Sequence, residues 1–129
     1  MSKEFWLNPF GELIGLNFTE ASNGSSKCVL EVDEKLLNPN NVLHGGVMYS
    51  MADAGMAEAI HPGLNQGELC ATVEIKISYF RPVTSGTLTC DTRIINRGRK
   101  IVALESEIKG NDERLVAKAM GTFYVFEIA

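Results

Sequence analysis

One change of hydrophobic period constrains this chain more than any other feature. Between about Gly45 and Ile60 the residues Val47, Met48, Met51, Ala52, Met56 and Ala59 recur at spacings of three and four, which predicts an α-helix. His61-Pro62-Gly63 stops it, and the loop Asn38-Pro39-Asn40-Asn41 precedes it. The helix is apolar almost all round, so it needs burial on most sides. After it, the chain alternates with period two. Ala71, Val73, Ile75, Ile77 and Tyr79 are expected on one face of a strand, with Thr72, Glu74, Lys76 and Ser78 on the other.

Further strands are predicted over Thr87 to Asn96, Lys100 to Lys109 and Arg114 to Phe126, joined by Arg97-Gly98-Arg99 and Gly110-Asn111-Asp112. Before the helix, Gly11 to about Asp33 reads as two strands around the turn cluster Ser22-Asn23-Gly24-Ser25-Ser26, with a short helical turn at Phe5-Trp6-Leu7. Turns this short imply antiparallel neighbours, because parallel pairing needs a crossover of about a dozen residues. The predicted architecture is α+β: a curved antiparallel sheet covering one long helix. Such a sheet has two open edges, and pairing one of them with a second copy would cover it.

With 129 residues, 45% of them hydrophobic, the chain is expected to form a single domain spanning 1–129 and to bury about two thirds of its unfolded surface. No run reaches the roughly 20 apolar residues of a membrane span, and the start lacks a secretory pattern, so a cytoplasmic protein without membrane association is expected. Cys28, Cys70 and Cys90 are far apart with no C-x-x-C spacing; they read as small buried apolar residues, with no disulfide framework and no metal site. A net charge of −4 without a basic block argues against non-specific nucleic-acid binding.

Two features of the helix suggest chemistry. Asp53 places a carboxylate among Ala, Met, Gly and Val; burial raises a carboxyl pKa and costs stability unless a polar group, such as Ser50 one turn earlier, meets it. His44-Gly45-Gly46 opens the helix, where unpaired backbone N–H groups and the positive dipole end make an oxyanion hole available. Gly45 and Asp53 are eight residues apart, about 12 Å along a helix axis, too far for one carbonyl group to meet both. If both serve one reaction, each site must combine Gly45 of one chain with Asp53 of a second, in a homodimer.

The stretch Asn38 to Ala54, with Asn38 six residues before His44-Gly45-Gly46 and Asp53 following, resembles the signature of hot-dog-fold acyl-CoA thioesterases, and within them the phenylacetate-pathway, PaaI-like branch. Tyr79-Phe80-Arg81-Pro82, Gly86 and Arg97-Gly98-Arg99 extend the resemblance over nearly the whole chain. The resemblance implies a hot-dog fold and hydrolysis of an acyl-CoA, the CoA being part of the substrate and no cofactor being required. It makes Asp53 the base or nucleophile, Gly45 the backbone donor to the thioester carbonyl, Asn38 an assisting amide and Thr72 a hydroxyl that orients water. It also implies dimers joined at sheet edges, commonly paired again into tetramers.

His44 reads as a loop organiser rather than a general base, and His61 as a residue serving the dipole at the helix C-terminus. Glu58 falls about 140° around the helix from Asp53, off its face. His44, Gly46 and Ser50 are candidates for contact with the substrate, and Met48, Met51, Met56 and Tyr49 for the acyl lining. Arg97, Arg99 and Lys100, with Arg81 as a weaker candidate, offer local positive charge for the CoA phosphates; a solvated hairpin tip is the plainer account of the same cluster. A non-catalytic acyl-CoA-binding protein is the alternative from another class. A hydratase of the same superfamily fits poorly, because neither histidine is paired with a carboxylate in the required pattern.

Overall fold

The computed structural model describes residues 8–128. The turn expected at Phe5-Trp6-Leu7 lies outside them. The first element is a short helix, α1 (Pro9–Ile14), and it corrects the strand expected from Gly11. Asn8 accepts a hydrogen bond from the Gly11 N–H at 2.9 Å, Pro9 sits in the first turn where its missing N–H removes no helix bond, and Gly15 closes the helix at φ 85°. These local signals outweigh the apolar pattern, and β1 (Leu16–Ser22) begins only after them.

β1 pairs antiparallel with β2 (Ser25–Glu31) through the expected Asn23-Gly24 turn. The Gly24 N–H reaches the Ala59 carbonyl at 2.9 Å, which ties this hairpin to the last turn of α2 (Gly45–Ile60). β3 (Glu68–Tyr79), β4 (Thr87–Arg97), β5 (Ile101–Lys109) and β6 (Leu115–Glu127) follow. The sheet has six strands in the order β1-β2-β4-β5-β6-β3, antiparallel throughout. It wraps α2 in the hot-dog arrangement.

The core lies between sheet and helix and falls into two halves. Met48 and Met51 pack with Leu30, Leu88, Cys28, Cys90 and Ile108, while Ala52, Met56 and Ile60 pack with Ile75, Val102, Leu104 and Phe123. Met51, Met56 and Ile60 are fully buried, each contributing about 1.5–3 kcal/mol of transfer free energy. The methionines expected to line the acyl site are therefore core residues. They face the sheet, and the side of α2 left open carries Ser50, Asp53, Ala54 and Ala57.

Between the two halves runs a polar seam. The Ser26 hydroxyl donates to the Gly55 carbonyl at 2.7 Å, and Thr92 and Ser106 share a hydroxyl hydrogen bond at 2.6 Å. Gly55 allows this approach: a Cβ built there would lie 2.6 Å from Thr92 Oγ1.

β3 departs from the expected alternation. Thr72 pairs with Phe123 but Glu74 with Thr122, so Val73 is a bulge residue. A bulge exchanges the faces on either side of it. Cys70 and Thr72 thus turn inward together with Ile75, Ile77 and Tyr79, whereas strict alternation would have put Thr72 on the opposite face. β3 is also an edge of the sheet, and Val73 is 60% exposed there.

Candidate active site

Asp53 projects from the middle of α2 and is half-buried. The Thr72 hydroxyl donates to its Oδ1 at 2.6 Å, so the polar group that meets the carboxylate comes from β3 across the bulge. Ser50 does not do so; its hydroxyl donates to the Gly46 carbonyl one turn back at 2.8 Å, the usual alternative for a helical serine. Asp53 and Thr72 line a cavity of about 380 Å³ together with Ser50, Ala54, Ala57, Cys70 and Phe123, and with Asn8 and Phe10 from the start of α1. Ala57 lies one turn beyond Asp53 on the same helix face. The cavity is polar at Ser50, Asp53 and Thr72, and apolar toward Ala54, Ala57, Phe10 and Phe123.

Cys70 belongs to this cavity and is half-buried, unlike Cys28 and Cys90, which have no exposure. The expectation of three buried apolar cysteines is thus corrected for one, because the bulge turns residue 70 toward α2. Burial pushes the Cys70 thiol up, the nearby Asp53 carboxylate adds to this, and Arg97 opposes it.

Gly45 does not line the Asp53 cavity. At the helix start, His44 is the N-cap and its Nδ1 accepts from the Gly46 N–H at 2.8 Å. An accepting Nδ1 is the unprotonated nitrogen of the imidazole. This is the loop-organising role expected of His44, and it leaves the Gly46 N–H already engaged. Among the described residues none accepts from the Gly45 N–H. Asn38 shapes the preceding loop: its Oδ1 accepts from Asn40 N–H at 2.8 Å and Val42 N–H at 3.3 Å. Tyr79, whose part went unread in the sequence, donates its hydroxyl to the Gly45 carbonyl at 2.7 Å. Burial first, and Tyr49 second, raise the Tyr79 phenol above its ordinary value of 10.0, so it remains a donor at neutral pH.

The basic residues separate. Arg81 pairs with Asp112 at 3.4 Å, just beyond the β3 terminus that carries Tyr79. Arg97 donates to Asn23 at 3.3 Å, whereas Arg99 and Lys100 border a groove that also contains Glu68, Glu127, Tyr124 and Phe126. Glu58 is buried and is absent from the Asp53 cavity. His61 is the C-cap of α2, the helix-end place expected of it, and burial lowers its pKa. Among the described residues no cluster of three or more His, Cys, Asp or Glu side chains is placed to hold a metal ion. Among the described residues no helix is long and apolar enough to cross a membrane.

A long helix wrapped by its own antiparallel sheet, with a carboxylate–hydroxyl pair beside its middle and a glycine amide at its start, is the hot-dog fold. The thioesterase superfamily profile matches residues 40–117. Among solved structures, the chain is similar to the Pseudomonas aeruginosa protein PA5202, with 32% identity, a TM-score of 0.85 and coverage of 93% of this chain and 95% of that one. It is similar to thioesterase HI1161 from Haemophilus influenzae, at 26% identity and a TM-score of 0.84, over 97% and 93% of the two chains. The phenylacetic acid degradation protein PaaI from Thermus thermophilus matches at 25% identity and a TM-score of 0.84, over 91% and 98%. The chain belongs to the thioesterase superfamily, and with it to the thioester hydrolases.

Proposed function

We propose that the protein hydrolyses an acyl-CoA to the free acid and CoA in sites shared between two copies of the chain. The observation that carries this reading is the 2.6 Å hydrogen bond from Thr72 to Asp53 inside a cavity that Gly45 does not reach. Thr72 holds one carboxylate oxygen and leaves the other for water or for attack, while its own lone pairs can accept from that water. Acting as a base, Asp53 takes a proton from water as the hydroxide attacks the carbonyl carbon; the C–S bond then breaks and the thiolate leaves as CoA after protonation. Acting as a nucleophile, it attacks the carbonyl carbon, the C–S bond breaks with departure of the CoA thiolate, and water cleaves the resulting anhydride to regenerate the carboxylate and free the acid. The Gly45 N–H of the partner copy, at the positive end of α2, stabilises the oxyanion, and the Asn38 side-chain amide assists it.

The exposed β3 edge supports the assembly, since pairing it with a second β3 would cover its unpaired backbone groups. Two such dimers pairing again is the further assembly that the family resemblance implies. Arg97, Arg99 and Lys100, with Arg81 at the opposite end of α2, are the candidates for the CoA phosphates in a chain of net charge −4. The reaction so written uses water and needs no metal or prosthetic group, and the cytoplasm supplies such substrates.

The test is thiol release over a panel of aromatic, short and medium acyl-CoAs. Wild type releases thiol; Asp53→Ala loses at least about 10²-fold in kcat while retaining the fold. Mixing Asp53→Ala with Gly45→Val restores part of the activity, because each mixed dimer contains one site with neither lesion. Wild-type rates from Asp53→Ala would sink the catalytic assignment. Absence of restoration would sink the shared site, and tight binding without turnover by wild type would identify an acyl-CoA-binding protein instead.

A further inference from the structure

The peptide unit joining Gly45 to Gly46 is gripped at both ends. Its C=O accepts from the Tyr79 hydroxyl at 2.7 Å, and its N–H donates to His44 Nδ1 at 2.8 Å. The Tyr79 ring also lies against the α-carbon of Gly45: a Cβ built there would be 3.0 Å from Cζ and 3.1 Å from the hydroxyl oxygen. A side chain at 45 would therefore press on the Tyr79 ring. Tyr79 comes from the last position of β3, so the edge strand that carries Thr72 to Asp53 also carries Tyr79 to the start of the helix.

From this clamp we infer that Tyr79 is a positioning residue for the reaction: its hydroxyl, with His44 opposite, fixes the peptide plane that follows Gly45 and so aims the Gly45 N–H at the thioester oxygen. The inference rests on the proposed role of Gly45. Its physical basis is that a donor helps a transition state only if it already points where charge develops, and the first amides of a helix have no intrahelical bond to align them. Two anchors on the adjacent peptide supply that alignment. Tyr79 acts through Gly45, and the bond that breaks remains the C–S bond of the substrate.

Tyr79→Phe keeps the ring over Gly45 and removes only the donor. The expected result is a fall in kcat of about tenfold or more with KM changed by less than about threefold, because the misaligned amide is missed chiefly in the transition state. In ¹³C-labelled protein the Gly45 carbonyl resonance moves upfield in Tyr79→Phe as the hydrogen bond is lost, while the Cα shifts along α2 keep their helical values. A purely structural tyrosine would lower the melting temperature and leave kcat intact, and that result overturns the inference. An unmoved Gly45 carbonyl resonance overturns it too, since the bond would then not exist in solution. Asp53→Ala is run alongside. If it loses activity and Tyr79→Phe does not, the positioning role fails and the thioesterase reading stands; if wild type is inert on the whole acyl-CoA panel, both fail.

Discussion

Gly55→Ala sets two effects of opposite sign against each other. Alanine is the better helix former by about 1 kcal/mol, so in an open helix the exchange would stabilise. Here the new Cβ would stand 2.6 Å from Thr92 Oγ1 and 3.5 Å from Ser26 Oγ, where ordinary contact begins at 3.4 Å. The shortfall at Thr92, about 0.8 Å, must be relieved by moving α2 or by rotating Thr92. Rotation breaks the buried 2.6 Å bond to Ser106 and strands a hydroxyl, at about 1–3 kcal/mol. Moving the helix away from the sheet loosens its packing there, a backbone shift that also costs about 1–3 kcal/mol. After the propensity gain the expected net loss is about 0–2 kcal/mol, a drop in melting temperature of up to about 8 °C for a chain of this length. Asp53 is two residues away on the same helix, so a displacement near 1 Å would cost about 10²-fold in kcat. Thermal melts and thiol-release assays read both effects. Adding Thr92→Ala to Gly55→Ala removes the obstructing atom and should recover most of the loss, a non-additivity that propensity alone would not produce. A Gly55→Ala protein that melts above wild type would refute the reasoning.

Thr72→Val removes the hydroxyl donor beside Asp53 at nearly constant volume; kcat should fall about tenfold or more while the melting temperature changes little, the site being partly solvated, and an unchanged kcat would remove Thr72 from the mechanism. For His61 the folded pKa lies below the ordinary 6.5, so the unfolded chain takes up the proton first. The stability it contributes is complete above pH 6.5 and declines as pH falls from there toward the folded pKa; urea midpoints at pH 7.5 and 5.5 should differ less in His61→Gln than in wild type, and equal differences would contradict the sign. Iodoacetamide should label Cys70 in the native protein, slowly near neutrality and faster above pH 9, while Cys28 and Cys90 stay protected, and a non-hydrolysable CoA thioether should slow the labelling. Equal labelling with and without the thioether would place the acyl site elsewhere.

Much of this protein was legible along the chain because its signals are local. The three-and-four spacing of Val47, Met48, Met51 and Ala52 and the stop at His61-Pro62-Gly63 set α2 to the residue, and the short turns made β4, β5 and β6 antiparallel neighbours. The run from Asn38 to Asp53 marked the residues of the candidate site, since they share one loop and one helix. The start of the chain was misread for a local reason as well: Asn8, Pro9 and Gly15 are capping signals, and they outweigh the alternation that suggested a strand from Gly11.

What tertiary structure alone decided concerns contacts between segments distant in sequence. A period-two pattern cannot reveal that Val73 bulges, and that bulge is what turns Cys70 and Thr72 toward Asp53. Nor can it reveal that the methionines of α2 face the sheet, so that Ala54 and Ala57, with Phe10 from α1, line the cavity instead. Tyr79 is 34 residues from Gly45 and meets it only because β3 runs along the helix from one end of the site to the other. Sequence determines which residues carry chemistry, because periodicity and capping act within a few residues. Which of them meet depends on register, where a single extra residue in one strand exchanges the two faces.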